Sequence, residues 1–154
     1  MAKPDHAGVR IPPPLIFLTF LVAGLLLDSG WIRGVLPPLP FTIAGAILFL
    51  AALALLLLSA EKFHRAKTHL EPWKPTTQII TNGIYRYSRN PIYLSMAIAY
   101  AGISTAAASW TAIILLIPCL FIIHYYVIMK EEAYLEDKFG KEYLAYRAKV
   151  RRWL

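Results

Sequence analysis

Two short stretches of the chain hold most of the side chains able to do chemistry. The first, YRYSRNPIY at 85–93, sets Arg86 and Arg89 among three tyrosines, Asn90 and Pro91, and an apolar run follows at once. The second opens with Lys130-Glu131-Glu132 at the end of another apolar run and closes on Arg151-Arg152-Trp153. Asn90 precedes a proline and is biased away from helical geometry, so a helix is expected to start near Pro91 with Asn90 or Ser88 at its N-cap. The free amides of such a helix start, flanked by guanidiniums, make a ready anion grip. Adjacent helical residues project about 100° apart, so Glu131 and Glu132 are expected to face different partners. A return of seven residues aligns Glu131 with His124 and Glu132 with Tyr125. His124, about 9 Å below the charged boundary by helical rise, is expected to face the bundle interior or a polar pocket and not lipid.

Each of these residues also has a plain structural reading. The arginines can serve as topology anchors and the tyrosines as an aromatic belt at a membrane surface. The glutamates can be solvated helix ends, and His124 a buried, hydrogen-bonded side chain with no further duty. No metal site is expected, because His64 and His69 stand five apart with no paired ligand spacing elsewhere. The one cysteine, Cys119, lies inside an apolar run, so no disulfide is expected. No Ser-His-Asp order, nucleophile elbow or phosphate loop occurs.

The elements that must position these groups are apolar helices. The 154 residues are 58% hydrophobic and 16% charged, with a mean hydropathy of +0.52, too apolar for an ordinary soluble domain. The apolar residues gather into four blocks, 11–27, 41–60, 92–108 and 111–129, each close to what a helix needs to cross about 30 Å of hydrocarbon. The expected fold is therefore all-α and polytopic: one membrane domain over 1–154 with about four spans, the last two a tight hairpin. A 61–91 connection and a 130–154 tail complete it. The first block has the shape of a secretory signal, but Trp31 and the turn VLPPLP at 35–40 follow it and no small-residue cleavage site does, so it is counted as a span.

Apart from Arg33, the sixteen lysines and arginines fall in the N-terminal arm, the connection and the tail. That bias puts both termini and the connection at the cytoplasmic side of a bacterial or archaeal inner membrane. The net charge of +7 is explained by topology and by attraction to anionic membrane lipids, not by nucleic acid. The connection reads as a continuation of the second helix to about Leu70, a break at Glu71-Pro72-Trp73-Lys74-Pro75 and a turn at Asn82-Gly83. In the tail, Leu135, Phe139, Tyr143, Tyr146, Val150 and Trp153 form an apolar stripe at helical spacing, the mark of an amphipathic helix on the membrane or on the protein's cytoplasmic face. Gly140 is placed to bend it over the mouth of the bundle.

Together the two stretches resemble the integral-membrane methyltransferases of the isoprenylcysteine carboxyl methyltransferase and phospholipid N-methyltransferase group, over about residues 78–154. The group's first motif, Gly-x-Tyr-x-x-x-Arg-His-Pro-x-Tyr, is matched by Gly83, Tyr85, Arg89, Asn90, Pro91 and Tyr93. Its second is matched by Glu131, Glu132, Leu135, Phe139, Gly140, Tyr143, Tyr146 and Arg152. Asn90 replaces the usual histidine and cannot take up a proton near neutral pH; Arg151 stands where proline is common.

The resemblance implies an S-adenosylmethionine pocket formed by Tyr85, Arg89, Asn90, Pro91, Tyr93, His124 and Glu132, closed by the C-terminal helix. A lipophilic or lipidated acceptor would reach it from the bilayer. Arg89 is expected to grip the cofactor carboxylate. A carboxylate acceptor, isoprenylcysteine-like, would be positioned by Arg152. A phospholipid amine or small thiol must lose a proton, and Glu131 or Glu132 would then be the base, unless Glu132 binds the cofactor's ammonium. Membrane reductases that use a nicotinamide dinucleotide look similar at this end, and a small non-enzymatic scaffold or lipid-binding protein shares the hydropathy pattern. The sequence leaves the acceptor and the oligomeric state open.

Overall fold

The structure, a computed structural model, describes residues 5–28, 37–69 and 71–154, and among these the chain is helical with no strand. Helix α1 covers Pro13–Leu27, α2 Leu39–Arg65, α3 Pro91–Ala106 and α4 Trp110–Ile122. A wide, π-helical stretch, Ile123–Ile128, joins α4 without a break to α5, Met129–Phe139, and α6 covers Lys141–Lys149. Two helices are long and apolar enough to cross a membrane, α2 and the continuous rod Trp110–Phe139, while α1 and α3 are shorter apolar helices. Most of the turn between the first two blocks, with Arg33, lies outside the described residues.

Proline lies in the first turn of α1, α2 and α3, where its missing N–H has no intrahelical partner to lose. Helix α2 stops at Arg65 and does not run on toward Leu70, which is itself outside the described residues. Lys67 adopts a left-handed φ of 49°, and the amides of Lys67 and Thr68 return to the carbonyls of His64 and Phe63, a Schellman closure without its usual glycine.

Small residues mark the closest helix contacts. Gly45 of α2 sits against the backbone of Gly102 and Ala106 of α3, and a Cβ on Gly102 would lie 2.9 Å from the Gly45 carbonyl. Gly24 of α1 meets Ala112 of α4 in the same way, its Cβ position 2.5 Å from the Ala112 Cα. Between them Phe17 and Tyr100 pack edge to face with ring centres 6.5 Å apart. Hydroxyls inside the bundle bond to their own helix: Ser59 to Leu55, Ser95 to Ile92 and Ser104 to Tyr100. At the α3–α4 hairpin Ser109 accepts from the Ala112 amide and donates to Asp28 at the end of α1. Gly45→Leu should therefore separate α2 from α3 at a cost of about 2 kcal/mol, read as a lower melting temperature in detergent. Leu50→Ala, on the outer face of α2 where Leu50 is 63% exposed, should leave the melting temperature unchanged.

Candidate active site

The chemistry-bearing residues meet at the end of the bundle that carries the connection and the tail. Gly83 has φ +61°, a left-handed conformation that glycine adopts without strain, and a Cβ there would also crowd the end of the Lys62 side chain at 2.5 Å, so glycine suits the turn under α2. A single 3-10 turn, Gly83–Arg86, follows. Asn90 is the N-cap residue of α3 and Pro91 its first residue, as expected, but the Asn90 side chain does not cap the helix. Its amide nitrogen donates instead to the Arg152 carbonyl at 2.9 Å. The Ser88 hydroxyl donates to the same oxygen at 3.4 Å, and the Arg89 amide donates to the Arg151 carbonyl at 3.0 Å. These bonds explain why the tail leaves helical geometry at Val150, with φ −122° and ψ 132°, so that the amphipathic helix does not extend to Trp153.

Gly140, with φ +48°, turns α5 into α6 and aims two tyrosines inward. The Tyr143 hydroxyl accepts from Arg89 Nη1 at 3.2 Å, and the Tyr146 hydroxyl donates to the Tyr85 carbonyl at 2.7 Å. Burial holds the Tyr85, Tyr143 and Tyr146 phenols above their ordinary pKa, with Tyr146 and Glu131 adding to it at Tyr85 and Arg89 opposing it at Tyr143 and Tyr146. All three stay neutral at physiological pH.

Glu132 is 7% exposed and lies between two guanidiniums. Arg152 grips it with both arms of its fork, Nε and Nη2 each at 2.8 Å from a carboxylate oxygen, and Arg89 Nη1 stands 3.3 Å away on the other side. The Glu132 bond in turn raises the Arg152 pKa. The third arm of Arg152, Nη1, lies 3.0 Å from His124 Nε2; a guanidinium only donates, so Nε2 is the acceptor. Glu131 points elsewhere and accepts from the Tyr93 hydroxyl at 2.6 Å. The expectation of different partners for the two glutamates holds, but the alignment of His124 with Glu131 does not. The π-helical stretch 123–128 contains more residues per turn than an α-helix, which moves the register by about one position and gives His124 and Glu132, eight apart, the shared partner Arg152.

A cavity of about 300 Å³ opens beside this network, at the small end of the range for ligand sites. Tyr85, Arg89, Asn90, Pro91, Tyr93, Glu131 and Glu132 all line it. Arg152 and His124 do not; they stand behind Glu132. Arg86 is exposed and also outside the lining. Two buried lining groups, the Tyr85 hydroxyl and Arg89 Nε, have no hydrogen-bond partner among the described residues, and buried polar groups left open in this way mark where a ligand would complete the set. The rest of the wall was not foreseen from the sequence. Trp73, Gln78 and Ile79 of the connection, Leu56, Ala60 and Phe63 of α2, and Ala7 and Pro13 near the N-terminus all contribute. The clustering of Trp73 between two prolines was the single hint.

The family model for phospholipid methyltransferases matches residues 41–142, more than half of the chain and including most of both motifs. A protein of Haemophilus influenzae described only as uncharacterized is 48% identical over 46 residues, which are 30% of this chain and 68% of that protein. No solved structure matches. The cavity's Arg-Asn-Pro and Glu-Glu walls thus fall in a stretch with a known lineage, and the chain belongs to the phospholipid methyltransferase family.

Proposed function

We propose that the protein is an integral-membrane methyltransferase of a single domain, with α1, α2, α3 and the α4–α5 rod as four spans and both termini cytoplasmic. It takes its methyl group from S-adenosylmethionine and delivers it to a lipophilic acceptor. The observation that carries this reading is the juxtaposition of Arg89, Glu131 and Glu132 around one cavity whose other wall is apolar. The donor set fits the cofactor: the buried, unpartnered Arg89 Nε and Tyr85 hydroxyl suit a carboxylate, and Glu132 suits an ammonium. Asn90, Pro91 and Tyr93 shape the wall beside them, and Arg152 and His124 support Glu132 from behind.

When bound, S-adenosylmethionine supplies an electrophilic methyl group on a sulfonium. The residues of this chain align the reactants and keep water away. Two acceptor chemistries remain, and the network favours one. Arg152, the group expected to position a carboxylate acceptor, is committed to Glu132 and His124 and lies outside the cavity. Glu131 lines the cavity, and among the described residues its carboxylate accepts a hydrogen bond only from the Tyr93 hydroxyl. That arrangement suits an amine or thiol acceptor, whose proton passes to Glu131, better than an isoprenylcysteine-like carboxylate.

Calorimetry on the detergent-solubilised protein tests the cofactor. Micromolar binding of S-adenosylmethionine is expected; binding of a nicotinamide dinucleotide in its place would make the chain a reductase, and binding of neither a scaffold. Incubation with labelled methyl donor and a total membrane extract should then label a lipid-phase product.

A further inference from the structure

Tyr134 stands one helical turn beyond Lys130 on α5, and its hydroxyl joins three parts of the chain. It accepts from the Thr76 amide of the connection at 3.1 Å, lies 2.9 Å from Asp5 Oδ1 of the N-terminal arm, and takes a bond from Lys138 Nζ at 3.0 Å. A phenol has one proton and two lone pairs, so donation to Asp5 and acceptance from Thr76 and Lys138 use it fully. Lys138 also pairs with Asp5 directly at 2.5 Å. The arm is fastened twice more, by the Ala7 amide on the Pro72 carbonyl and by the Arg10 and Ile11 amides on the Tyr126 hydroxyl, and Val9 is 2% exposed beneath it. Both segments that Tyr134 pins belong to the cavity wall, Ala7 from the arm and Thr76 from the connection, and Tyr134 lines it too.

We infer that Tyr134 is a positioning residue, a clasp that holds the N-terminal arm and the 71–76 turn against α5 and so sets how tightly the cavity retains its small-molecule ligand. The inference rests on the reading of the cavity as the S-adenosylmethionine site, and it gives the arm a role in binding beyond topology. Two segments without regular secondary structure form this wall, and backbone amides bonded to a side-chain oxygen are what keep them in place.

The test compares wild type with Tyr134→Phe, which keeps the ring and removes the hydroxyl, by two measurements on the full chain. One is S-adenosylmethionine affinity and dissociation rate; the other is the rate of trypsin cleavage at Arg10, which needs no ligand. The variant is expected to bind about tenfold more weakly through a faster off-rate, to be cut at Arg10 several times faster, and to keep its melting temperature. Lys138→Ala, which removes one bond to the same hydroxyl together with the ion pair to Asp5, should shift both measurements in the same direction, and serves if Tyr134→Phe fails to fold. Faster cleavage with unchanged affinity would overturn the inference, because the arm would then be no part of the binding wall. Weaker binding with unchanged cleavage would overturn it as well, since Tyr134 would be touching the ligand itself. If wild type binds no S-adenosylmethionine, the cofactor reading fails, and cleavage still decides whether the clasp exists.

Discussion

Arg89→Ala should lower S-adenosylmethionine affinity more than a hundredfold while Arg65→Ala leaves it unchanged. Both residues are basic and lie at the same end of the bundle, so a difference isolates the site from the charge bias. Arg65 is 70% exposed and pairs one turn away with Glu61, an arrangement worth a few tenths of a kcal/mol. The Arg89 side chain is 9% exposed, its Nη1 reaches Glu132 and Tyr143, and its Nε is buried with no partner among the described residues. A hydrogen bond to a charged group contributes about 1.5–3 kcal/mol, so losing the two that a planar fork gives a carboxylate reaches a hundredfold or more. The fold should survive, because Glu132 keeps its two-armed bond to Arg152. Arg89→Lys retains the charge without the fork and should fall between. Equal, small effects at Arg89 and Arg65 would reduce Arg89 to a membrane anchor and remove the cofactor reading with it.

Where the sequence was informative, a local rule and the tertiary contact pointed the same way. Asn90-Pro91 fixed the start of α3 because proline constrains both itself and its predecessor. Glu131 and Glu132 parted because a helix separates neighbours by 100°. The register above them was not legible: a π-helical stretch such as IHYYVI, 123–128, has the composition of any apolar helix, and its one-residue advance shows only as the His124–Arg152–Glu132 contact. In the arm and the connection the sequence carries only charge and turn signals, because irregular segments have no periodicity to project. Their positions depend on Tyr134 and Tyr126, residues over a hundred positions from the arm they hold. Asn90 shows the same limit in one residue. Its place at the helix start is plain, but its bond to the Arg152 carbonyl depends on an extended tail segment that sequence periodicity assigns to helix.

The two glutamates should separate function from structure. Glu131→Gln preserves size and can still accept from the Tyr93 hydroxyl, so neither melting temperature nor cofactor affinity should move. An amide cannot take a proton, however, and loss of a general base typically costs between a hundred- and ten-thousandfold, so methyl transfer to an amine or thiol acceptor should fall at least a hundredfold. The loss should appear in kcat and not in the KM for S-adenosylmethionine. Glu132→Ala should do the reverse in kind: it strips the shared partner from Arg89 and Arg152 and leaves a buried guanidinium uncompensated, a cost of about 3–5 kcal/mol. It should release the extended 150–153 segment, lower the melting temperature and weaken cofactor binding together. If Glu131→Gln retains wild-type turnover, no proton passes through Glu131; the acceptor then attacks without losing one, as a carboxylate does, and the guanidinium that positions it must be sought at Arg89.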